Sequence, residues 1–258
     1  GNTSVKSIGK DVFNNKKSII YVKGSGWDMS NLNQLGMPGL YLEPLLNTLS
    51  LENMPDSKMV NYLRSNLLDS NSPNPSVETL LHAYIKEKFV DHTHSNAILS
   101  LVNLKESNDL LIKIFDHKLA IVPYIMPGFQ LAKLCHKIYH NNTNIEGLLL
   151  LNHGIFTFGS NAKESYDRMI KYVSIAEKYI LSKKKNTTSM VRNNISIEQN
   201  ISPLIRKFFY LIDKNKWIVK SNFSKKDKIF TLRNDIFSIF NKGPVTPDHV
   251  IQIGRASC

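Results

Sequence analysis

The chain has 258 residues, 42% of them hydrophobic, with 12 Gly and 10 Pro, an ordinary globular composition that fits one or two domains. Its two cysteines, Cys135 and Cys258, exclude a disulfide framework and a Cys-based zinc module and suit a reducing cytoplasm. The net charge of +12 sits mainly in late lysine clusters without aromatic interleaving, which argues against nucleic acid and suits a phosphorylated small molecule.

No apolar run approaches membrane-spanning length and no signal peptide is visible. Gly1, not Met, opens the chain, so a truncated N-terminus is expected. Asn2-Thr3-Ser4-Val5 enters a first strand. The β-branched run Ser18-Ile19-Ile20-Tyr21-Val22 makes a second, and the polar loop around Asn14 to Lys17 joins them as a hairpin. Lys23-Gly24-Ser25-Gly26 then breaks the pattern in a loop whose backbone can approach an anion. Lys23 reads either as a phosphate contact or as a solvated strand end.

Residues 44–51 and 57–68 have helical spacing, with Pro44 in a first turn. Pro73-Asn74-Pro75-Ser76 is a turn, Ser76 an expected N-cap, and Glu78 to Ile85 the helix that follows. Val90-Asp91-His92-Thr93-His94 is read as extended, which puts both histidines on one face. A helix at 107–114, a strand at 119–122, an irregular connector at 124–129 and a helix at 130–139 follow. Gly147 to Leu151 is fully apolar, as in a strand buried on both faces. Asn152-His153-Gly154 leads into a strand at 155–159, and residues 162–181 form a long helix. Tyr166, Ile170, Val173, Ala176 and Ile180 share one face of it. Residues 186–200 read as a linker. A helix at 203–213, strand-like pieces at 217–219 and 229–231, and a helix-like turn to Phe240 follow. The strand–helix alternation indicates an α/β domain, and the short connections favour a mixed, largely antiparallel sheet. No G-x-G-x-x-G or Walker loop supports a nucleotide site.

A bulky polar His153 at the end of a buried strand needs a partner. With His92 and His94 it makes three imidazoles, a zinc set with one position open, and Glu78 offers a carboxylate for proton transfer. Of the 8 histidines, His82 lies one turn beyond Glu78 and either orients it or packs. His117, His136 and His140 read as surface residues, His249 as part of a structural turn, and Trp27 and Phe129 as packing.

The strings Asn2-Thr3-Ser4, Lys23-Gly24-Ser25-Gly26-Trp27-Asp28, Pro75-Ser76-Val77-Glu78, His92-Thr93-His94, Asn152-His153-Gly154 and Thr246-Pro247-Asp248-His249 are ordered as in the class II aldolase/adducin family. The chain resembles that family over about residues 1 to 252, and most of all the aldolase part of bifunctional rhamnulose-1-phosphate aldolase/dehydrogenase proteins. The resemblance implies a three-layer α/β/α fold and zinc, or another divalent metal, on His92, His94 and His153. Glu78 would be the acid/base, and Asn2, Ser25, Gly26 and Ser76 would line a phosphate pocket. Val77 stands where some family members carry a second serine, so the implied phosphate contact is thinner.

The expected reaction is metal-assisted cleavage of a ketose 1-phosphate, such as rhamnulose 1-phosphate, to dihydroxyacetone phosphate and a short aldehyde. An epimerase or dehydratase on the same scaffold, and an adducin-like module without catalysis, are the alternatives; the complete His92/His94/His153/Glu78 set speaks against the last. The resemblance further implies a cytoplasmic homo-oligomer with a dehydrogenase domain downstream. The expected organisation is a core at 1–185, an extension of the aldolase region at 186–252 and a non-native tail at 253–258, which matches one reading frame of a sequencing adapter.

Overall fold

The computed structural model describes residues 1–142, 144–183, 197–218, 230 and 233–243. They fall into two compact units, one within Gly1–Lys184 and one within Lys185–Val245. The strands of the first unit are β1 (Asn2–Lys10), β2 (Lys16–Val22), β3 (Gly39–Tyr41), β4 (Phe89–Thr93), β5 (Leu119–Val122), β6 (Gly147–Leu150) and β7 (Gly154–Gly159). They form one seven-stranded sheet in the order β3-β2-β1-β4-β7-β6-β5. Among the described residues its pairings are antiparallel apart from β5 with β6, so the sheet is mixed and largely antiparallel, as the short connections imply. The expected β1–β2 hairpin forms, its turn closed by the Asp11 carboxylate, which accepts from the N–H groups of Phe13 and Asn15.

The helices are α1 (Leu42–Asn47), α2 (Asp56–Ser65), α3 (Thr79–Tyr84), α4 (Asn96–Val102), α5 (Asn108–Phe115), α6 (Phe129–Asn141) and α7 (Ala162–Lys183). Side chains of α1, α2, α3 and α6 share one buried cluster with Ile20, Val22, Val90, Leu148, Leu150, Phe156 and Phe158. Those of α4, α5 and α7 share another with Leu149 and Ile155. Successive strand residues point to opposite faces, so β6 feeds Leu148 and Leu150 to one layer and Leu149 to the other. That is why its sequence is apolar without alternation. The three-layer α/β/α expectation holds.

Four local expectations do not. The buried stripe of α7 is Ser165, Met169, Tyr172 and Ala176, while Tyr166 and Ile170 are exposed. The helix is rotated from its most apolar face because Ser165 has polar partners on the sheet: its hydroxyl donates to Asp91 Oδ2 at 2.6 Å and its carbonyl accepts from Thr157 Oγ1 at 3.0 Å. Ser76 is not the cap of α3. It sits one turn ahead, where its Oγ accepts from the N–H of Glu78 at 3.2 Å, and Glu78 itself flanks the helix. Two further elements, α4, which takes up Ala97-Ile98-Leu99, and the short strand β3, are not among those expected from the sequence. In the second unit, α8 (Ile197–Asp213) starts before Pro203 and carries it inside. Trp217 and Ile218 are not strand; the Trp217 indole N–H donates back to the Asp213 carboxylate. Of the expected piece at 229–231 only Phe230 is described, and Thr246-Pro247-Asp248-His249 lies outside the described residues.

Candidate metal centre

The sheet order brings together residues far apart in sequence. β4 lies between β1 and β7, with Asn2 paired to His92 and His92 paired to Phe156. His92 ends the buried face of β4, its ring stacked on Phe156 at 4.0 Å between centroids. His94 follows just beyond the strand and returns to the same side, its Nε2 2.8 Å from Nε2 of His92. His153 comes from the three-residue connection between β6 and β7. There Asn152 adopts a positive φ of 56°, which asparagine tolerates better than most residues, and the N–H of His153 donates to Leu150 O. Gly154 must be small: a Cβ there would lie 2.5 Å from the carbonyl of Thr93 and 3.2 Å from the His92 ring. Glu78 arrives from the turn before α3.

One ligand atom from each of Glu78, His92, His94 and His153 lies within 4.8 Å of all the others. Glu78 Oε1 is 2.9 Å from His153 Nε2 and 3.4 Å from His92 Nε2. The tautomer of His92 follows from its other nitrogen. Nδ1 is 2.9 Å from the carbonyl of Ile155, which can only accept, so Nδ1 carries the proton and Nε2 presents a lone pair to the centre. Glu78 Oε1 is buried without a hydrogen-bond donor once the facing Nε2 atoms are unprotonated, as metal ligands must be. Several lone pairs and an anionic oxygen thus converge in a buried space, an arrangement that a divalent cation relieves. The donor set fits zinc.

The electrostatics agree. Burial pushes the Glu78 carboxyl up, but His92, His153 and His82 outweigh it and hold it well below the usual carboxylate range. Burial drives His92 well below its ordinary value, against the pull of Glu78. The pair rests as an anionic carboxylate beside a neutral imidazole.

Behind the centre, Asn2 donates from Nδ2 to Glu78 Oε2 at 2.6 Å and to Ser76 Oγ at 3.0 Å. Both amide hydrogens are therefore engaged. Ser25 and Gly26 are exposed on the loop beside this segment, where Gly24 bridges Pro75 and the N–H of Ser25 donates to Asn74 O. Gly26 has φ 78°, open to glycine at little cost. Lys23 is neither a solvated strand end nor a surface phosphate contact. It is 7% exposed, and its ammonium donates to the carbonyls of Gly24 at 3.1 Å and Trp27 at 2.7 Å, stapling the loop from beneath. Of the remaining histidines, His117 and His140 are exposed, whereas His136 is half-buried, its Nδ1 3.3 Å from Tyr84 O. Phe129 is core, and Trp27 packs over Gly36. His82 is fully buried beside Asn2.

Residues 1–180 match the family model described as the class II aldolase and adducin N-terminal domain. The chain belongs to the class II aldolase/adducin family. A Bacillus subtilis protein described as the uncharacterized oxidoreductase YuxG is 37% identical over 180 residues, which are 70% of this chain and 26% of that protein. The chain thus spans about a quarter of that relative's length. Among solved structures, the N-terminal class II aldolase domain of a conserved Thermoplasma acidophilum protein is 39% identical. It superposes with a TM-score of 0.66 over 69% of this chain and 83% of its own. An aldolase II superfamily protein from Pseudomonas syringae, 12% identical, shares the fold with a TM-score of 0.50 over 70% of this chain and 66% of its own. Among the described residues of this class II aldolase-family chain, no helix is long and apolar enough to cross a membrane.

Proposed function

We propose that the chain is the catalytic core of a metal-dependent sugar-phosphate aldolase that cleaves a ketose 1-phosphate, rhamnulose 1-phosphate being the leading substrate, to dihydroxyacetone phosphate and a short aldehyde. The observation that carries this reading is the convergence of His92, His94 and His153 on one buried point, with the Glu78 carboxylate against it. A non-catalytic module would have no use for that set.

His92, His94 and His153 are the metal ligands in this reading, with zinc the first choice for three imidazoles. When bound, the ion supplies Lewis-acid stabilisation of the charge that develops on the substrate carbonyl oxygen. Scission of the C3–C4 bond leaves its electron pair on the three-carbon fragment. As C4 becomes the aldehyde carbonyl, its hydroxyl proton passes to the Glu78 carboxylate, which then delivers that proton to C3 of the three-carbon fragment, and the aldehyde leaves with the remaining carbons. In this reading Asn2, Ser25, Gly26 and Ser76 line the phosphate pocket, a grouping supported by the hydrogen bond of Asn2 to Ser76 and by that of the Ser25 N–H to Asn74. The Val77 side chain, half exposed, has no hydroxyl to donate there, so phosphate affinity rests on fewer groups.

Cytoplasmic location, homo-oligomeric assembly and a dehydrogenase domain joined to this core complete the proposal. The oxidoreductase name of the Bacillus relative is consistent with the last.

Metal analysis together with a cleavage assay across several ketose 1-phosphates tests the assignment. His94→Ala should lose both stoichiometric zinc and cleavage; full zinc retention would remove it from the ligand set. Glu78→Gln should keep zinc and lose turnover by about two to four orders of magnitude, the usual span for a general acid–base group. Wild-type turnover in that variant would refute its role.

A further inference from the structure

One buried polar group near the centre has no part in metal binding, phosphate contact or proton transfer. His82 on α3 is fully buried, its ring edge-on to Phe156 at 5.4 Å. It is not merely packed. Nε2 lies 2.5 Å from Asn2 Oδ1, and Nδ1 lies 2.8 Å from Ser4 Oγ. We propose that His82 is a positioning residue: it fixes the orientation of the Asn2 amide and through it holds Glu78 Oε2, so that Oε1 alone faces the metal and substrate. This rests on Glu78 being the proton carrier.

The argument runs through donors and acceptors. Asn2 Nδ2 lies 2.6 Å from Glu78 Oε2 and 3.0 Å from Ser76 Oγ, two oxygens that an amide N–H₂ can serve together and an amide oxygen cannot. Asn2 Oδ1 then faces His82 and needs a donor, which puts the His82 proton on Nε2. Nδ1 is left as an acceptor and takes the Ser4 hydroxyl proton. Each group in the series Ser4, His82, Asn2, Glu78 thereby dictates the role of the next.

The ring is held neutral. Burial drives it down to about 3 against the pull of the Glu78 carboxylate, and the nearby Lys6 ammonium, bonded to the His82 carbonyl at 2.8 Å, adds to the lowering. A neutral ring with one proton has one way to satisfy both neighbours. Were the Asn2 amide flipped, Oδ1 would oppose the Glu78 carboxylate and Nδ2 would point at the Nε2 proton. Two repulsive contacts would replace two hydrogen bonds in a buried site, where such contacts cost most.

The elements make this possible. Asn2 and Ser4 alternate along β1 and so share a face, and Glu78 and His82 stand one helical turn apart at the start of α3. One strand and one helical turn thus clasp each other through a pair of residues from each.

The test compares His82→Phe, which keeps the ring and removes the donor, with His82→Gln, which retains an N–H near the same position. In the metal-loaded enzyme acting on the best ketose 1-phosphate, His82→Phe should lower kcat about ten- to hundredfold, the scale of a misplaced catalytic group. Its KM should stay within about threefold, and its zinc per chain should match wild type. His82→Gln should recover most of the loss. Equal kcat losses in the two variants, or wild-type kcat in a zinc-loaded His82→Phe, would overturn the role.

A second measurement needs no substrate or activity. Nitrogen-15 NMR of the wild-type protein should show neutral His82 with its proton on Nε2, and an Asn2 side-chain amide protected from exchange. A proton on Nδ1, or a freely exchanging Asn2 amide, would overturn the proposal even if the protein proved not to be an aldolase. If the ring and amide are as described but no ketose phosphate is cleaved, the aldolase reading fails and the clasp stands.

Discussion

At the residue scale the centre depends on what is small as much as on what coordinates. Gly154 begins β7 between the carbonyl of Thr93 and the rings of His92 and His94. A methyl group there would meet Thr93 O at 2.5 Å, and that backbone is held in the sheet by the Thr93–Ile155 pairing. The softer neighbours are the two rings, at 3.1 and 3.2 Å. Only a shift of the Thr93 or Gly154 backbone relieves the 2.5 Å contact, and Gly154→Ala should therefore displace the His92 and His94 rings together with that backbone. The expected result is zinc affinity lowered about ten- to hundredfold, the scale seen when ligand support is lost. Stability of the metal-free protein should fall by about 1–3 kcal/mol from overpacking. Competition with a calibrated chelator measures the first and denaturant unfolding the second; unchanged zinc affinity would show that the hairpin gives way without moving the rings.

At the element scale, α7 shows how polar anchoring can outweigh apolar periodicity. Tyr166, Ile170, Val173, Ala176 and Ile180 make a convincing stripe, yet its first two members stay exposed, and the helix seats Ser165, Met169 and Tyr172 beside the buried Ala176, with Val173 and Ile180 partly buried. Asp91 accepts from Ser165 Oγ with one oxygen and from Thr3 Oγ1 with the other, each at 2.6 Å, and so joins α7, β4 and β1. Hydrogen bonds to a charged group contribute about 1.5–3 kcal/mol each, comparable with burying one aliphatic side chain. Spacing alone cannot display that competition, because the partner of Ser165 lies 74 residues away. Met169→Ala should cost about 2–5 kcal/mol, as for large-to-small core changes. Ile170→Ala, at 47% exposure, should cost within about 0.5 kcal/mol, as for ordinary surface changes. Paired urea melts decide it; the reverse ranking would mean that α7 buries the stripe its sequence suggests.

At the scale of the whole chain, most strand and helix identities of the first unit, β3 and α4 excepted, and the mixed sheet are legible in the sequence, as are the four residues Glu78, His92, His94 and His153 that the fold brings together. Each of these rests on local periodicity or on short ordered strings such as His92-Thr93-His94. The links between strings were not legible. That Asn2 would hold Glu78 and that His82 would hold Asn2 both depend on where β1 lies in the sheet, between β2 and β4. Lys6 belongs to the same class of long-range contacts and has a consequence for stability. It looks like a solvent-facing lysine on a strand, but its ammonium donates to the carbonyls of His82 at 2.8 Å and Glu87 at 3.0 Å. Burial pulls it down to about 8 from 10.5, opposed by Glu87. Below pH 8 both folded and unfolded chains carry the proton, and the fold bears the full cost of the buried charge. Between pH 8 and 10.5 the folded chain releases that proton while the unfolded chain keeps it, so stability rises with pH. From pH 7.5 to 9.5 the gain is at most about 2 kcal/mol. Lys6→Met carries no such group and should lack this increment, so the stability difference between wild type and variant should shift by that amount in favour of wild type. Urea unfolding of both proteins at several pH values measures it. Parallel stability curves would show that the two carbonyls keep Lys6 charged in the folded chain.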